Sequence, residues 1–125
     1  MADDSLAELR GKLRDFACAR DWEQYHNPKN LAAALIVEAA ELLEHFQWLT
    51  PDQSARLDAG RLEQVRQEIG DVLIYLTRLA DVLGIDPVAA ARDKMVINEA
   101  KYPAERVRGS AAKSTEYQDR HGSKV

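Results

Sequence analysis

The chain has 125 residues and a mass of 14.0 kDa, room for one domain with a single core and not for two ordinary ones. Its 17 Lys and Arg against 21 Asp and Glu leave a net charge of −4, which argues against holding a nucleic-acid polymer by bulk positive charge. The lone Cys18 excludes an intrachain disulfide framework, and the longest apolar run, Leu31 to Val37, is far too short to span a membrane.

Hydrophobic residues make up 46% of the chain and aromatics only 6%, with much of the apolar share in Ala and Leu, which favours helix over strand. Ser5 to about Arg20 reads as a first helix, capped by Ser5 with Glu8 in the capping-box position. Leu6, Leu9, Leu13, Phe16 and Ala17 share one of its faces. Asp21 to Asn30 is a polar connection rich in aromatics, and Asn27-Pro28 within it marks the next helix start. That second helix is expected to run to about Leu49, where Thr50-Pro51 disfavours helical geometry and itself opens a short helix ending near Gly60. Arg61 to Leu83 reads as a long helix, with Leu62, Val65, Ile69, Val72, Leu73, Leu76 and Leu79 facing a core and Gly84 closing it. Asp86-Pro87 caps a last helix through Val88, Ala91, Met95 and Asn98, ending near Tyr102-Pro103. No strand pattern and no internal repeat appears. The expected class is all-α, a four-helix bundle core formed by residues 1–103 as one domain, with 104–125 a polar tail, extended or partly disordered. The acidic N-terminus lacks a signal-peptide pattern, and a soluble cytoplasmic protein is expected.

The acidity is local. Between Leu31 and Ala55 stand Glu38, Glu41, Glu44 and Asp52 with no Lys or Arg, so this stretch alone carries the whole net −4. Glu38 and Glu41 are three apart on one helix face, flanked by Leu35-Ile36-Val37 and Leu42-Leu43. The long helix repeats the arrangement with Glu68 and Asp71, leading into Val72-Leu73-Ile74-Tyr75-Leu76. Such pairs are ordinarily solvated helix surface, but surface acids are usually interleaved with basic partners, and these are not. If the two helices pack together, four carboxylates converge, and each raises the cost of ionising the next unless a cation intervenes. All-oxygen ligation suits Mg²⁺ or Mn²⁺, and Mg²⁺ commonly bridges carboxylates to phosphates. Gly70, between Glu68 and Asp71, fits either close helix packing or room for a metal or phosphate.

The pattern Glu38-x-x-Glu41, 26 intervening residues, then Glu68-x-x-Asp71 resembles the signature of the MazG-like all-α nucleoside triphosphate pyrophosphohydrolases, and within them most closely the dCTP pyrophosphatase branch. The loop from Arg20 through Trp22 and His26 to Leu31 is similar to that branch, as are Phe46-Gln47-Trp48, Asp71 to Leu76, Lys94-Met95, Asn98 and Tyr102-Pro103. The likeness spans about residues 5 to 117. It implies hydrolysis of a (deoxy)nucleoside triphosphate, dCTP or a modified dCTP, to the monophosphate and pyrophosphate, with Mg²⁺ on Glu38, Glu41, Glu68 and Asp71. It implies a base pocket built from Trp22, Glu23, Gln24, Tyr25, His26, Trp48 and Tyr75, a contribution from Asn98, and a homodimer or homotetramer with sites between subunits. Leu13 departs from the pattern, because mammalian members carry a nucleotide-contacting histidine there.

In such a site the carboxylates hold the metal against the triphosphate, and Glu41 or Glu38 orients the attacking water. Lys94 and Lys101, seven apart and on one face, could meet phosphate oxygens or simply be solvated. Trp22 and Trp48 could stack on a base; without the resemblance they read as core or interface residues. His26, ahead of a proline-capped start, reads first as a loop-fixing residue, His45 as a neighbour of the acids or a core group, and Cys18 as packing. Two other classes compete. A ferritin-like di-iron bundle needs Glu-x-x-His on two helices, and only Glu23-x-x-His26 occurs. A non-catalytic helical module would use the acidic face to bind a basic partner, and its stability would not depend on Mg²⁺.

Overall fold

Helix boundaries follow from caps. The structure, a computed structural model, describes residues 5–111 and contains six α-helices among them, with no strand. Helix α1 (Ser5–Ala19) starts at the first described residue, so Ser5 is helical rather than a cap. Its end is tied by Trp22 N–H to Ala17 O (2.9 Å) and Asp21 N–H to Cys18 O (3.1 Å), with Asp21 left-handed at φ 55°. That bond pattern usually takes glycine. Here Asp21 accepts a strained φ and in return its side chain and carbonyl both receive the Gln24 amide. The chain thus turns back so that Trp22 lies against α1, followed by a 3₁₀ turn, Glu23–Tyr25.

Helix α2 (Pro28–Glu44) opens as expected, Asn27 Oδ1 accepting from Asn30 N–H at 2.9 Å with proline at the first position. It ends five residues before the expected Leu49. After Glu44 the amides of His45 and Phe46 reach Leu42 and Leu43 carbonyls three residues back, and Arg61 donates to the freed His45 carbonyl at 3.0 Å. Helix α3 (Pro51–Ser54) has the reciprocal Thr50–Gln53 capping box but does not reach Gly60, because Asp58 Oδ1 caps Arg61 N–H at 2.8 Å and starts helix α4 (Ala59–Val82). Gly84, φ 71°, closes α4 with Ile85 N–H on Ala80 O (2.8 Å) and Gly84 N–H on Asp81 O (3.1 Å). Gly84→Ala is expected to destabilise by about 1 kcal/mol, because a Cβ disfavours this φ. Urea unfolding checks it as a lowered midpoint at constant slope.

The chain divides into two units, residues 1–85 and 86–125. In the first, α4 packs along α2 and less extensively against α1. Leu31, Ala17, Val65 and Ala80 are its buried apolar residues. The expected inward stripe of α4 is only partly covered: Val65 is buried, Val72 and Leu79 are half-buried, while Leu62, Ile69, Leu73 and Leu76 are exposed. Two flanking helices cannot cover a stripe that wide. Cys18, expected to pack, is exposed, since the α1 position turned inward is its neighbour Ala17. The second unit holds helix α5 (Pro87–Lys101), capped by Asp86 Oδ1 on Val88 and Ala89 N–H, and a one-turn helix α6 (Ala104–Val107). Helix α6 departs from the extended tail expected from Ala104, four residues being too few to show a period. Of that tail, 112–125 lies outside the described residues. No described helix is long and apolar enough to cross a membrane.

Candidate active site

Packing of α2 on α4 brings the two acidic pairs together. One carboxylate oxygen each from Glu38, Glu41 and Glu68 lies within 4.8 Å of the others. Asp71 acts on the same centre, its charge helping to raise the pKa of both Glu38 and Glu68. Glu38 Oε2 and Glu68 Oε2 are buried, and among the described residues neither has a hydrogen-bond donor. Among the described residues no ion pair with Lys or Arg forms on any of the four. Burial first, then the neighbouring Glu41, Asp71 and Glu68, push the Glu38 pKa from 4.5 up to about 7. Burial, Glu41 and Asp71 likewise raise Glu68, partly offset by His45, which the fold places near the cluster at the end of α2.

Buried carboxylate oxygens without donors are costly, and three oxygens this close in an all-acid set suit a hard divalent cation. The residues therefore fit a Mg²⁺ or Mn²⁺ site better than zinc, which is more commonly held by nitrogen and sulfur. Gly70 faces open space: a Cβ there would meet nothing within 4 Å, so within the described residues close helix packing does not explain it.

The repulsion has a pH signature. A carboxyl whose pKa is raised on folding binds its proton more tightly in the folded state, so its contribution to stability is intact below pH 4.5 and is lost as pH rises to about 7. The metal-free protein is expected to lose melting temperature across this window. Melts in chelator check it: the loss should be smaller in Glu38→Gln and disappear when Mg²⁺ is added.

Next to the acids is a cavity of about 290 Å³, lined by Leu13, Phe16, Trp22, His26, Glu38, Asp71, Ile74, Tyr75 and Arg78. Glu38 and Asp71 are its acidic lining residues. Phe16 and Trp22 meet edge to face with centroids 5.7 Å apart, and Trp22 meets His26 at 6.4 Å, so the wall is aromatic. The Arg20 guanidinium lies over the Phe16 ring, 3.6 Å from its centroid. Of the residues expected around a base, Trp22, His26 and Tyr75 are here. Glu23, Gln24 and Tyr25 are exposed on the 3₁₀ turn beside it, and Trp48 is 86% exposed on the turn after α2, outside the cavity. Lys94, Asn98 and Lys101 are exposed on α5 in the second unit. A more open concavity of about 410 Å³, lined by Leu49, Arg56 and Arg61 among others, contains none of the four acids.

Sequence reasoning missed Arg78 and placed Phe16 only on an apolar face, whereas Leu13, singled out as the position of a nucleotide-contacting histidine in mammalian members, does line the cavity. The signal for Arg78 was available: Glu68, Asp71, Tyr75 and Arg78 follow helical spacing along a single face of α4.

An all-helical protein whose carboxylates converge from two helices beside an aromatic cavity has a donor set that could hold a divalent metal. The chain belongs to the MazG-like family, which it matches over residues 34–117. It is 40% identical to human dCTP pyrophosphatase 1 over 116 residues, covering 91% of this chain and 68% of the relative, and 39% identical to the bovine protein of that name over 118 residues, 92% and 69%. Among solved structures it is similar to a pyrophosphatase from Archaeoglobus fulgidus, with a TM-score of 0.74 and 48% identity, covering 78% of this chain and 91% of that one.

Proposed function

We propose that this protein hydrolyses a (deoxy)nucleoside triphosphate, dCTP or a modified dCTP, to the monophosphate and pyrophosphate in a Mg²⁺-dependent reaction. That it is an enzyme of the pyrophosphatase class rests on its relatives; this sets aside the non-catalytic module. The observation that supports the substrate reading is an acid cluster with donorless buried oxygens on Glu38 and Glu68, two of whose members, Glu38 and Asp71, line a cavity of about 290 Å³ with aromatic walls.

Glu38, Glu41, Glu68 and Asp71 would hold the metal. When bound, Mg²⁺ (or Mn²⁺) offsets the charge of the triphosphate and the charge that builds around the α-phosphorus. The rest is the work of the chain's own residues. Trp22 and Tyr75 flank the base, where stacking is worth about 1–3 kcal/mol. Holding the base at one end and the triphosphate at the other places the α-phosphorus near the carboxylates. Glu41, which faces both Glu38 and Glu68, accepts a hydrogen bond from the attacking water and turns it toward phosphorus; Glu38 is the alternative. Glu23, Gln24, Tyr25 and Asn98 remain candidates for base and sugar contacts, and Lys94 and Lys101 for phosphate contacts.

The site is read as shared between subunits of a homodimer or homotetramer. Ile36, Val37 and Leu43 on α2 and Leu62, Ile69, Leu73 and Leu76 on α4 are exposed, more large apolar surface than a monomer normally leaves in water. A second copy on these faces would bury them, and the exposed Trp48 would then be available to a neighbouring cavity.

The test is a panel of nucleoside triphosphates with Mg²⁺, scored for pyrophosphate together with the monophosphate. Turnover of dCTP or a 5-modified dCTP above the other triphosphates is expected. No turnover, or release of inorganic phosphate with a diphosphate, contradicts the proposal.

A further inference from the structure

Arg78 forms no ion pair with the four carboxylates among the described residues, yet it is buried on α4, 8% exposed. Burying that charge is unfavourable unless it is paired on every side. One side is Asp81, a turn further along, with Nη1 3.4 Å from Oδ2. Asp81 is gripped in turn by both arms of Arg14, whose Nε donates to Oδ2 at 2.7 Å and Nη2 to Oδ1. The other side of Arg78 is His26: Nε donates to Nδ1 at 3.0 Å.

That bond fixes the ring's chemistry. A guanidinium has donors only, so Nδ1 must offer its lone pair and the imidazole proton must reside on Nε2. An imidazolium would set N–H against N–H. Burial and the Arg78 charge accordingly lower the His26 pKa below its usual value. His26 is the single histidine among the residues lining the cavity, where Leu13 and Phe16 supply only apolar surface.

We propose that Arg78 is a positioning residue for nucleobase recognition: anchored by Asp81, it locks His26 as the neutral Nε2–H tautomer, so that the cavity presents one fixed N–H donor to an acceptor on the base edge. This rests on the reading of the cavity as a base pocket. A base with a carbonyl oxygen or an unprotonated ring nitrogen at that point is bound; one with an N–H there meets donor with donor and is rejected.

Two measurements test it on the full-length protein. Nitrogen NMR of isotope-labelled imidazoles, with only three histidines to assign, should show His26 at neutral pH with Nδ1 unprotonated and Nε2 carrying hydrogen. Arg78→Met should release that preference, while Arg78→Lys, which keeps the charge beside Asp81 but loses the planar fork, should show whether charge alone holds the ring. In steady-state kinetics Arg78→Met should raise KM for the preferred triphosphate about 3- to 10-fold, the worth of one hydrogen bond, and leave kcat little changed. A wild-type His26 protonated on Nδ1, or an unchanged KM in a folded Arg78→Met, overturns the proposal. The NMR result stands whether or not any triphosphate is turned over, so failure of the enzyme reading and failure of this one are told apart.

Discussion

Glu38→Gln is expected to lower kcat/KM for the preferred triphosphate by at least about 10²-fold, the scale on which removing one preorganised electrostatic contact slows an enzyme. The amide keeps the shape of the side chain but removes a full charge from the set that would hold the cation, together with a buried oxygen that has no donor of its own. The same substitution should make the metal-free protein more stable. Glu38 is the carboxyl most strongly driven toward its protonated form by burial and by Glu41, so replacing it with a neutral group relieves repulsion. Loss of activity with a gain in metal-free melting temperature is the signature of a site whose strain is functional. Steady-state kinetics with Mg²⁺ and melts in chelator check the two halves separately. Asp71→Asn should behave in the same direction.

The largest effect on stability is expected at Asp81. Removing its carboxylate as Asp81→Ala leaves the buried Arg78 guanidinium with no anion, and breaking a buried pair in this way costs about 3–5 kcal/mol. For a domain of this size that lowers the melting temperature by on the order of 10 °C or more. Arg14→Ala removes the other partner of the same carboxylate, but the arginine is 56% exposed and solvent screens the pair, so the loss should be far smaller than that of Asp81→Ala. The hydrogen bond from Arg14 holds the Asp81 carboxyl below its ordinary 3.8, so the stability it contributes is present above that pH and is lost as pH falls below it. Equilibrium urea unfolding of the two variants at neutral pH checks the contrast.

Local capping chemistry made much of the fold legible from sequence. Asn27-Pro28, Thr50-Pro51, Asp86-Pro87 and Gly84 each announce a boundary through one or two residues, and each boundary is where it was expected. The errors lie where a distant partner decides. Helix α2 stops at Glu44 because its terminal turn tightens and Arg61, from the start of α4, takes a freed carbonyl. The exposed side of α4, with Leu62, Ile69 and Leu73, looks like core in a periodicity argument, since periodicity finds an apolar face without saying which molecule covers it.

The acid centre was readable for a different reason. Four carboxylates in apolar helix segments without basic partners have few physical explanations, and packing α2 on α4 brings Glu38, Glu41 and Glu68 to one point with Asp71 beside them. The Arg78–His26 contact was not readable, because 52 residues separate the pair and nothing local to either names the other. Once both are in place, the donor-only chemistry of a guanidinium determines the tautomer.

The most direct test of the carboxylates as one cation site is thermal unfolding against Mg²⁺ concentration at pH 7.5, for the wild type, Glu68→Gln and Glu44→Gln. A ligand that binds only the folded state at about 100 times its Kd adds about 2.7 kcal/mol, a shift of many degrees. The wild type and Glu44→Gln should both show that rise, and Glu68→Gln should lose most of it. Equal Mg²⁺ responses in all three proteins, or no response in the wild type, would contradict a cation site on Glu38, Glu41, Glu68 and Asp71.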